Sequence, residues 1–308
     1  ARRDPEVRIE IHLNDHPNDE EPTWRYVLGF KPEGKRTLIS TEEVWKHDEK
    51  LLARPDKDDL GDKARLTQTH LEQIQSNAEF REIAEFLAAT TYLHLVPQLL
   101  KFGDRIGGHR LEEDPFGQGF LERLAKTSTQ TRKARLGKIE RALSHAIPQF
   151  QELRFVQDRS TGRPHLELNY THHRPQGAWQ REDQLSDGTL RLIALLWSVF
   201  EGDSLLLLEE PELSLNHAIV EQIPLILQKA QQEAKRRRQV IISTHSHALL
   251  SNKGIDARGV LLFEPGPEGT NIRPINPEEA TAIQAGFSIA ETIMPKARPN
   301  KIQQLSLW

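Results

Sequence analysis

The N-terminal part of the chain alternates hydrophobic and polar residues with a period of two. The segment Val7–Leu13 (VRIEIHL) alternates strictly, and two further segments, WRYVLGF and TLISTEEVW, flank the turn-rich KPEGKR. A period of two places alternate side chains on one face of a β-strand. The pattern therefore predicts a β-hairpin, and we assign residues 1–60 to a β-rich lobe.

A helical period replaces the alternation further along the chain. It extends over residues 66–100, interrupted only at Pro97, and a second helical run covers residues 120–146. Residues 103–119, between the two runs, are rich in Gly, Asp and Pro and predict a loop. We therefore expect a helical insertion over residues 61–150.

Strands and helices alternate over residues 151–308. FQELRFVQD and PHLELNY surround the turn RSTGRP and predict two strands. An amphipathic helix follows, with Ser186 or Asp187 as its N-cap. Two short apolar runs, at 205–208 (LLLL) and 240–243 (VIIS), are typical of strands that are buried on both faces. This order of elements predicts an α/β core.

Composition narrows the class of protein. Hydrophobic residues make up 37% and charged residues 28% of the 308 residues, which argues against a disordered chain. The longest apolar run, at 192–200, is much shorter than the ~20 residues of a bilayer span. A net charge of -4 argues against a histone-like mode of nucleic-acid binding. Cysteine is absent, which excludes disulfides, thiol nucleophiles and Cys-ligated zinc. We expect a cytoplasmic protein without membrane contact.

Two carboxylates follow the leucine run directly. Glu209 and Glu210 stand at the C-terminal end of the predicted strand, the edge where open α/β sheets present their sites. In nucleotide hydrolysis Glu209 could hold Mg²⁺ through water, and Glu210 could orient the attacking water. The alternative interpretation is a buried strand that runs into an acidic loop.

A histidine follows the second apolar run. His245 lies just after the predicted strand Val240–Ser243 and before a predicted helix. At this strand tip its ring could reach a γ-phosphate or the attacking water. The alternatives are a turn histidine or a metal pair with His247, and a third ligand for such a pair is not obvious in the sequence.

The predicted amphipathic helix that follows Gln184 and Leu185 begins with a small hydroxyl residue and a glycine. Free backbone N–H groups and the helix dipole make the N-terminus at Ser186, Asp187 and Gly188 a candidate anion site. A simply capped amphipathic helix is the alternative.

The order and spacing of LSDGT, LLLLEEP and ISTHS resemble the layout of SMC/RecF-like ABC ATPases, and among them the OLD-related AAA family ATPases. The resemblance implies an α/β fold: an ABC-type P-loop ATPase head with a mixed central sheet, an N-terminal β-hairpin lobe and a helical insertion. It also implies an ATPase core over residues 151–308. LSDGT departs from the transporter form LSGGQ, and Leu215-Asn216-His217 departs from the usual Leu-His-Pro.

The resemblance also implies roles for individual residues. Glu210 would be the catalytic glutamate, His245 the switch histidine, Glu209 the acid that serves Mg²⁺, and Ser214 part of the D-loop. The signature motif, which would bind the nucleotide, comprises Leu185, Ser186, Asp187, Gly188 and Thr189.

Cofactors and partners follow from the same resemblance. We expect ATP and Mg²⁺ as cofactors, and a homodimer or higher oligomer in which two heads sandwich two ATP molecules. The resemblance further implies a DNA-linked or anti-phage defence system with a separate effector, such as a toprim-type nuclease, and DNA as a candidate partner.

The phosphate-binding loop of such a site, G-x-x-x-x-G-K-[ST], is not found in a suitable context. The nearest match, GFKPEGKR at residues 29–36, has Arg36 in place of the hydroxyl residue and lies within the predicted hairpin. Because the chain starts at Ala1 and contains a single methionine, Met294, we expect this loop upstream of Ala1. A non-hydrolysing ATPase-fold scaffold that binds a partner protein or nucleic acid is the alternative function.

Two weaker signals remain. The basic run at residues 235–238 (KRRR) could contact DNA, although such runs are commonly solvated surface. A third functional class, a metallonuclease, would need metal ligands drawn from His172, His173, Glu209, Glu210 and Glu212, which the sequence does not bring together.

Overall fold

A computed structural model of the protein describes residues 6–16, 18–34, 36–106, 111–171, 178–202, 204–233, 238–267 and 269–296. The chain divides into two compact units, Ala1–Ala89 and Thr90–Trp308. The division into three parts with boundaries at residues 60 and 150 stays a prediction.

The first unit is built on a four-stranded antiparallel sheet with the strand order β1-β2-β3-β4. Its strands follow one another along the chain: β1 (Val7–Leu13), β2 (Trp24–Glu33), β3 (Arg36–Lys46) and β4 (Glu49–Arg54). The predicted hairpin is confirmed, because β2 pairs with β3 as far as Glu33 and Arg36. The segment GFKPEGKR therefore runs from strand to strand, and no helix begins there.

Helical turns complete the first unit. They are α1 (Lys57–Gly61), α2 (Arg81–Ala88) and two 3₁₀ turns, Lys63–Thr67 and Ala78–Phe80. The side chains of Phe80 and Ile83 pack against Trp24, Tyr26 and Val44 of the sheet, because alternate strand residues face this side.

A buried ion cluster ties the segment after β4 to the sheet. The Arg54 guanidinium lies 2.7 Å from Glu42 and 2.9 Å from Asp59, and all three side chains are completely buried. Glu42 also accepts hydrogen bonds from the backbone N–H groups of His70 and Leu71. The hydrogen bonds from Arg54 hold the pKa of Asp59 well below its usual range. Arg54 thus contacts both buried carboxylates, and Arg65 Nε lies a further 3.2 Å from Asp59.

The described residues of the second unit form three sheets. A parallel sheet has the order β10-β9-β5, an antiparallel sheet has the order β6-β7-β8, and β11 pairs with β12. The strands are β5 (Thr91–Leu93), β6 (Phe150–Gln157), β7 (Pro164–Tyr170), β8 (Ala178–Arg181), β9 (Leu206–Glu209), β10 (Val240–Ser243), β11 (Leu261–Pro265) and β12 (Thr270–Pro274).

Nine helices of the described residues accompany these sheets. They are α3 (Pro97–Phe102), α4 (Phe120–Lys126), α5 (Thr129–Ala146), α6 (Asp187–Phe200), α7 (His217–Val220), α8 (Ile223–Glu233), α9 (His247–Leu250), α10 (Pro277–Gln284) and α11 (Ile289–Ile293). None of the helices within the described ranges combines the length and the apolar character needed to cross a bilayer.

The helical prediction for residues 66–100 is wrong in one important part. Thr91–Leu93 forms β5 and pairs in parallel with β9, and Pro97 begins α3 instead of interrupting a helix. A three-residue strand is too short to show a period of two, so neighbouring helical turns dominate the pattern. Proline is favourable at the first position of a helix, because its missing N–H would have no partner there.

Helix α6 forms the centre of the second unit. Leu190, Ile193 and Trp197 are completely buried, and the helix contacts α3, α5 and α8. A helix that is apolar on all sides is stable only when it is surrounded. The prediction that β10 is buried is wrong, because β10 lies at the sheet edge and Ile241 is 50% exposed.

We predict that Arg54→Met lowers the free energy of unfolding by about 3–5 kcal/mol, because the buried carboxylate of Glu42 would lose its ion-pair partner and Asp59 would keep only the partly exposed Arg65. Denaturant unfolding at neutral pH measures this change. As a control, Lys63→Met removes the exposed Lys63–Glu33 pair and should cost at most about 1 kcal/mol. Equal effects of the two substitutions would contradict the prediction.

Candidate functional site

The carboxyl ends of β9 and β10 meet at one edge of the parallel sheet. Glu209 pairs with Ser243, and the N–H of Glu210 donates to the carbonyl of Ser243 over 2.9 Å. Leu206 and Leu208 are buried, which anchors β9 between its two neighbours. The register therefore brings the acidic residues next to the segment that carries His245.

The structure brings Glu210 and His245 together. His245 Nδ1 lies 2.7 Å from Glu210 Oε1. The side chain of His245 is 74% exposed and that of Glu210 is 30% exposed, so both can be reached from solvent. A carboxylate and an imidazole at this distance can hold and orient a water molecule or exchange a proton.

The loop after β9 contains two residues in the left-handed region. Glu210 has a φ of 43° and Ser214 has a φ of 63°. The carbonyl of Glu210 accepts hydrogen bonds from the N–H of Leu213 over 3.2 Å and from Arg191 Nη2 over 3.3 Å. The loop is thus tight, and its conformation is held by its surroundings.

Glu209 contacts the neighbouring strand β5. The hydroxyl of Tyr92 donates to Glu209 Oε2, and His94 Nδ1 lies 3.9 Å from the same oxygen. The hydrogen bond to the carboxylate raises the pKa of the Tyr92 hydroxyl. The side chain of Glu209 remains 43% exposed, so solvent can reach this carboxylate.

The predicted signature segment forms a capped helix N-terminus. Ser186 is the N-cap of α6, and its Oγ accepts from the N–H of Thr189 over 3.1 Å. Leu185 is 2% exposed and packs in the core, so its side chain anchors the segment. Ser186 is exposed at the surface.

The acid of the signature segment has its own counter-ion. Lys101 Nζ on α3 lies 2.6 Å from Asp187, and Gln98 Nε2 lies 3.4 Å from the same carboxylate. These contacts offset the negative charge of the Asp187 carboxylate. Without them, this carboxylate would repel an anion bound at the N-terminus of α6, an end of the helix that otherwise favours anions.

The signature segment and the predicted D-loop touch closely. A Cβ atom on Gly188 would lie 2.4 Å from the carbonyl oxygen of Ser214. The backbone approach is therefore possible only for glycine at position 188. The structure thus places Ser214 beside the signature segment of the same chain.

Several weaker predictions have different outcomes. His172, His173 and residues 235–237 lie outside the described residues. Neither interpretation of the basic run holds for Arg238, which is 6% exposed and donates to backbone carbonyls at the C-terminal end of α6. His247 Nδ1 lies 3.0 Å from the Oγ of Ser251, the C-cap residue of α9. The described part of the chain has no group of three His, Asp or Glu side chains suited to a metal ion.

Comparison with known proteins defines the class. The fold is a mixed α/β ATPase fold. Residues 6–251 match the family model described as "AAA domain, putative AbiEii toxin, Type IV TA system", and the protein belongs to this family. The predicted α/β fold class is confirmed by the strands and helices of the described residues, and the family match confirms the predicted resemblance to AAA family ATPases. No curated protein matches the sequence.

Solved SMC structures are similar at low identity. The SMC head domain from Thermotoga maritima is 13% identical with a TM-score of 0.38, covering 84% of this chain and 77% of that chain. An SmcHead bound to the C-winged helix domain of ScpA is 12% identical with a TM-score of 0.42, covering 86% and 78%. A third, described under "ATP-driven dimerization and DNA stimulated activation of SMC ATPases", is 15% identical with a TM-score of 0.38, covering 54% and 93%.

Sequence reasoning missed three residues that contact the predicted motifs. They are Tyr92, Lys101 and Arg191, each of which hydrogen-bonds to a residue of a predicted motif. The only sequence signal for Arg191 is a charged residue within an otherwise apolar helix, which requires a buried partner. The others have no signal in the sequence, because their partners come from distant segments.

We predict that Gly188→Ala destabilises the protein by about 1–3 kcal/mol, because the new methyl group would overlap the backbone of Ser214. Thermal unfolding measures the change. The matched control is Gly137→Ala within α5, where a Cβ would have no neighbour within 4 Å. That control should gain up to about 1 kcal/mol from helix propensity. If Gly188→Ala left the thermal stability unchanged, the close contact between Gly188 and Ser214 would be refuted.

Proposed function

We propose that the protein is an ATPase that hydrolyses ATP to ADP and phosphate with the help of Mg²⁺. The observation that carries this proposal is the Glu210–His245 pair, with 2.7 Å between Nδ1 and Oε1, at the end of the central strand. Glu210 orients the attacking water, and His245 lies where it can contact a γ-phosphate.

The donor set beside this pair is compatible with magnesium. Mg²⁺ prefers oxygen ligands and keeps several of its waters, so one carboxylate at a solvent-accessible position is sufficient from the protein side. Glu209, with its half-buried carboxylate next to Glu210, fits this description and would hold the ion through water. The metal would neutralise phosphate charge.

A second copy of the chain would complete the nucleotide site. Ser186 and Thr189 carry hydroxyl groups at the N-terminus of α6, and this end of the helix is accessible. Backbone N–H groups and the helix dipole favour a phosphate there. We propose that the segment Leu185 to Thr189 of one copy, together with Ser214, contacts ATP held by the other copy.

Hydrolysis by this route also requires a phosphate-binding loop. The segment GFKPEGKR cannot supply it, because it forms the end of a hairpin. Within the described residues β10 has a strand neighbour on one side only, and Ile241 is half exposed there. This open edge supports the proposal that a further strand from upstream of Ala1 carries the loop.

The process that the ATPase drives belongs to the proposal as well. We propose a DNA-linked or anti-phage defence system in which ATP binding closes a dimer and a separate effector, such as a toprim-type nuclease, performs the final reaction. The motif order LSDGT, LLLLEEP and ISTHS supports this role through its resemblance to OLD-related ATPases.

We predict that Glu210→Gln lowers ATP turnover by about 100-fold or more and leaves ATP binding intact, because the water loses its orienting group while the phosphate contacts remain. Steady-state turnover and binding of a fluorescent ATP analogue measure the two effects. The matched control is Glu221→Gln, which alters an exposed Glu–His pair on α7. Unchanged turnover in Glu210→Gln would exclude the catalytic role.

We predict that ATP turnover appears when the natural residues preceding Ala1 are included and is absent from the 308-residue chain alone. The physical reason is that β- and γ-phosphates need a nest of N–H groups and a lysine. Turnover is measured for both proteins with and without duplex DNA. Failure of the longer protein to bind or hydrolyse ATP would favour the non-hydrolysing scaffold.

A further inference from the structure

A buried arginine lies beneath the acidic loop. Arg191 is 3% exposed and stands on α6, one turn after the signature glycine. Its Nη2 donates to the carbonyl of Glu210 over 3.3 Å, and its Nε has no hydrogen-bond partner. Burial lowers the pKa of this guanidinium, and the carboxylates of Glu212 and Glu210 oppose that shift.

A buried glutamate lies on the other side of the same loop. Glu212 is 8% exposed, and its Oε1 accepts a hydrogen bond from the hydroxyl of Thr244. The Thr244 hydroxyl in turn accepts from the N–H of Ser246 over 2.9 Å. Glu212 Oε2 is buried without a partner. Glu212 therefore binds Thr244, on one side of His245, and is linked to Ser246, on the other side, only through the Thr244 hydroxyl.

Packing alone does not explain these two charges. Each has a buried polar atom that lacks a partner, and such atoms are costly in a protein interior. A pair of apolar residues would fill the same space with less penalty. Buried charges that persist in this state commonly serve specificity or function, and both of these contact the loops that carry Glu210 and His245.

The backbone at Glu210 needs external support. A φ of 43° is unfavourable for a residue with a Cβ, and it persists where the surroundings hold it. The carbonyl of Glu210 is bound by the N–H of Leu213 from within the loop and by Arg191 from α6. Arg191 is thus the contact that joins the position of Glu210 to the signature helix.

We propose that Arg191 and Glu212 are positioning residues that hold Glu210 and the Thr244–Ser246 turn in register with the N-terminus of α6. This inference rests on the proposed ATPase function and adds a physical connection between the signature segment and Glu210. A displacement of α6 when a phosphate binds at Ser186 would reach the carbonyl of Glu210 through Arg191. Turnover would then depend on occupation of the signature segment.

A double substitution separates this proposal from a purely structural charge pair. Arg191→Met alone should lower both Tm and kcat, because Glu212 remains buried without a cation. Glu212→Gln in the same protein removes the remaining charge with little change in volume. We expect Tm to recover toward that of the wild type in the double variant, while kcat stays about 100-fold low and KM for ATP changes little.

The matched control is Arg238→Met. Arg238 is also buried and binds backbone carbonyls at the other end of α6. This variant should lower Tm but leave kcat per folded molecule within about twofold of the wild type, since an interaction outside the site does not change the transition state.

The outcomes distinguish the two proposals. Recovery of kcat together with Tm in the Arg191→Met/Glu212→Gln protein would overturn the positioning role while the ATPase function stands. An equal loss of kcat in Arg238→Met would also overturn it, because any disturbance of α6 would then suffice. A wild-type protein without turnover, tested with its natural upstream residues, would overturn both the ATPase function and this inference.

Discussion

The hydrogen bond from the N–H of Glu210 to the carbonyl of Ser243 joins the first residue after β9 to the last residue of β10. Because these strands are parallel, the same hydrogen bond fixes the residue at which each strand ends and leaves the sheet. Glu210 then enters the left-handed region, and His245 follows two residues after Ser243. A shift of one residue in this register would point the acid to the opposite face and separate it from the histidine.

Helix α6 connects this edge to the rest of the second unit. At its N-terminus Gly188 permits close contact with Ser214, in its first turns Arg191 binds the carbonyl of Glu210, and at its C-terminus Arg238 binds the last carbonyls. Buried backbone and side-chain polar groups need such partners in the absence of water. The helix is thus held at three points along its length, and the acidic loop depends on two of them.

The sequence predicts the strongly periodic elements well. Val7–Leu13 and Val240–Ser243 are strands with the expected bounds, and Ser186 caps the helix that LSDGT begins. The pairing of Glu210 with His245 could be anticipated because both follow strands. β5 could not be predicted, since three residues carry no period. The burial of Arg238 could not be predicted either, since the charge of a residue does not reveal its burial. Contacts between segments that are distant in the sequence cannot be predicted from a local hydrophobic pattern.

The parallel pairing of β5 with β9 joins segments that are more than one hundred residues apart in the sequence. Loop-closure entropy opposes such a pairing until the intervening helices have packed, so chains with many distant contacts fold slowly. During synthesis β9 would leave the ribosome long after β5 and still lack β10. Its leucine run would be exposed in that interval, which makes chaperone binding and aggregation competing fates for the newly made chain.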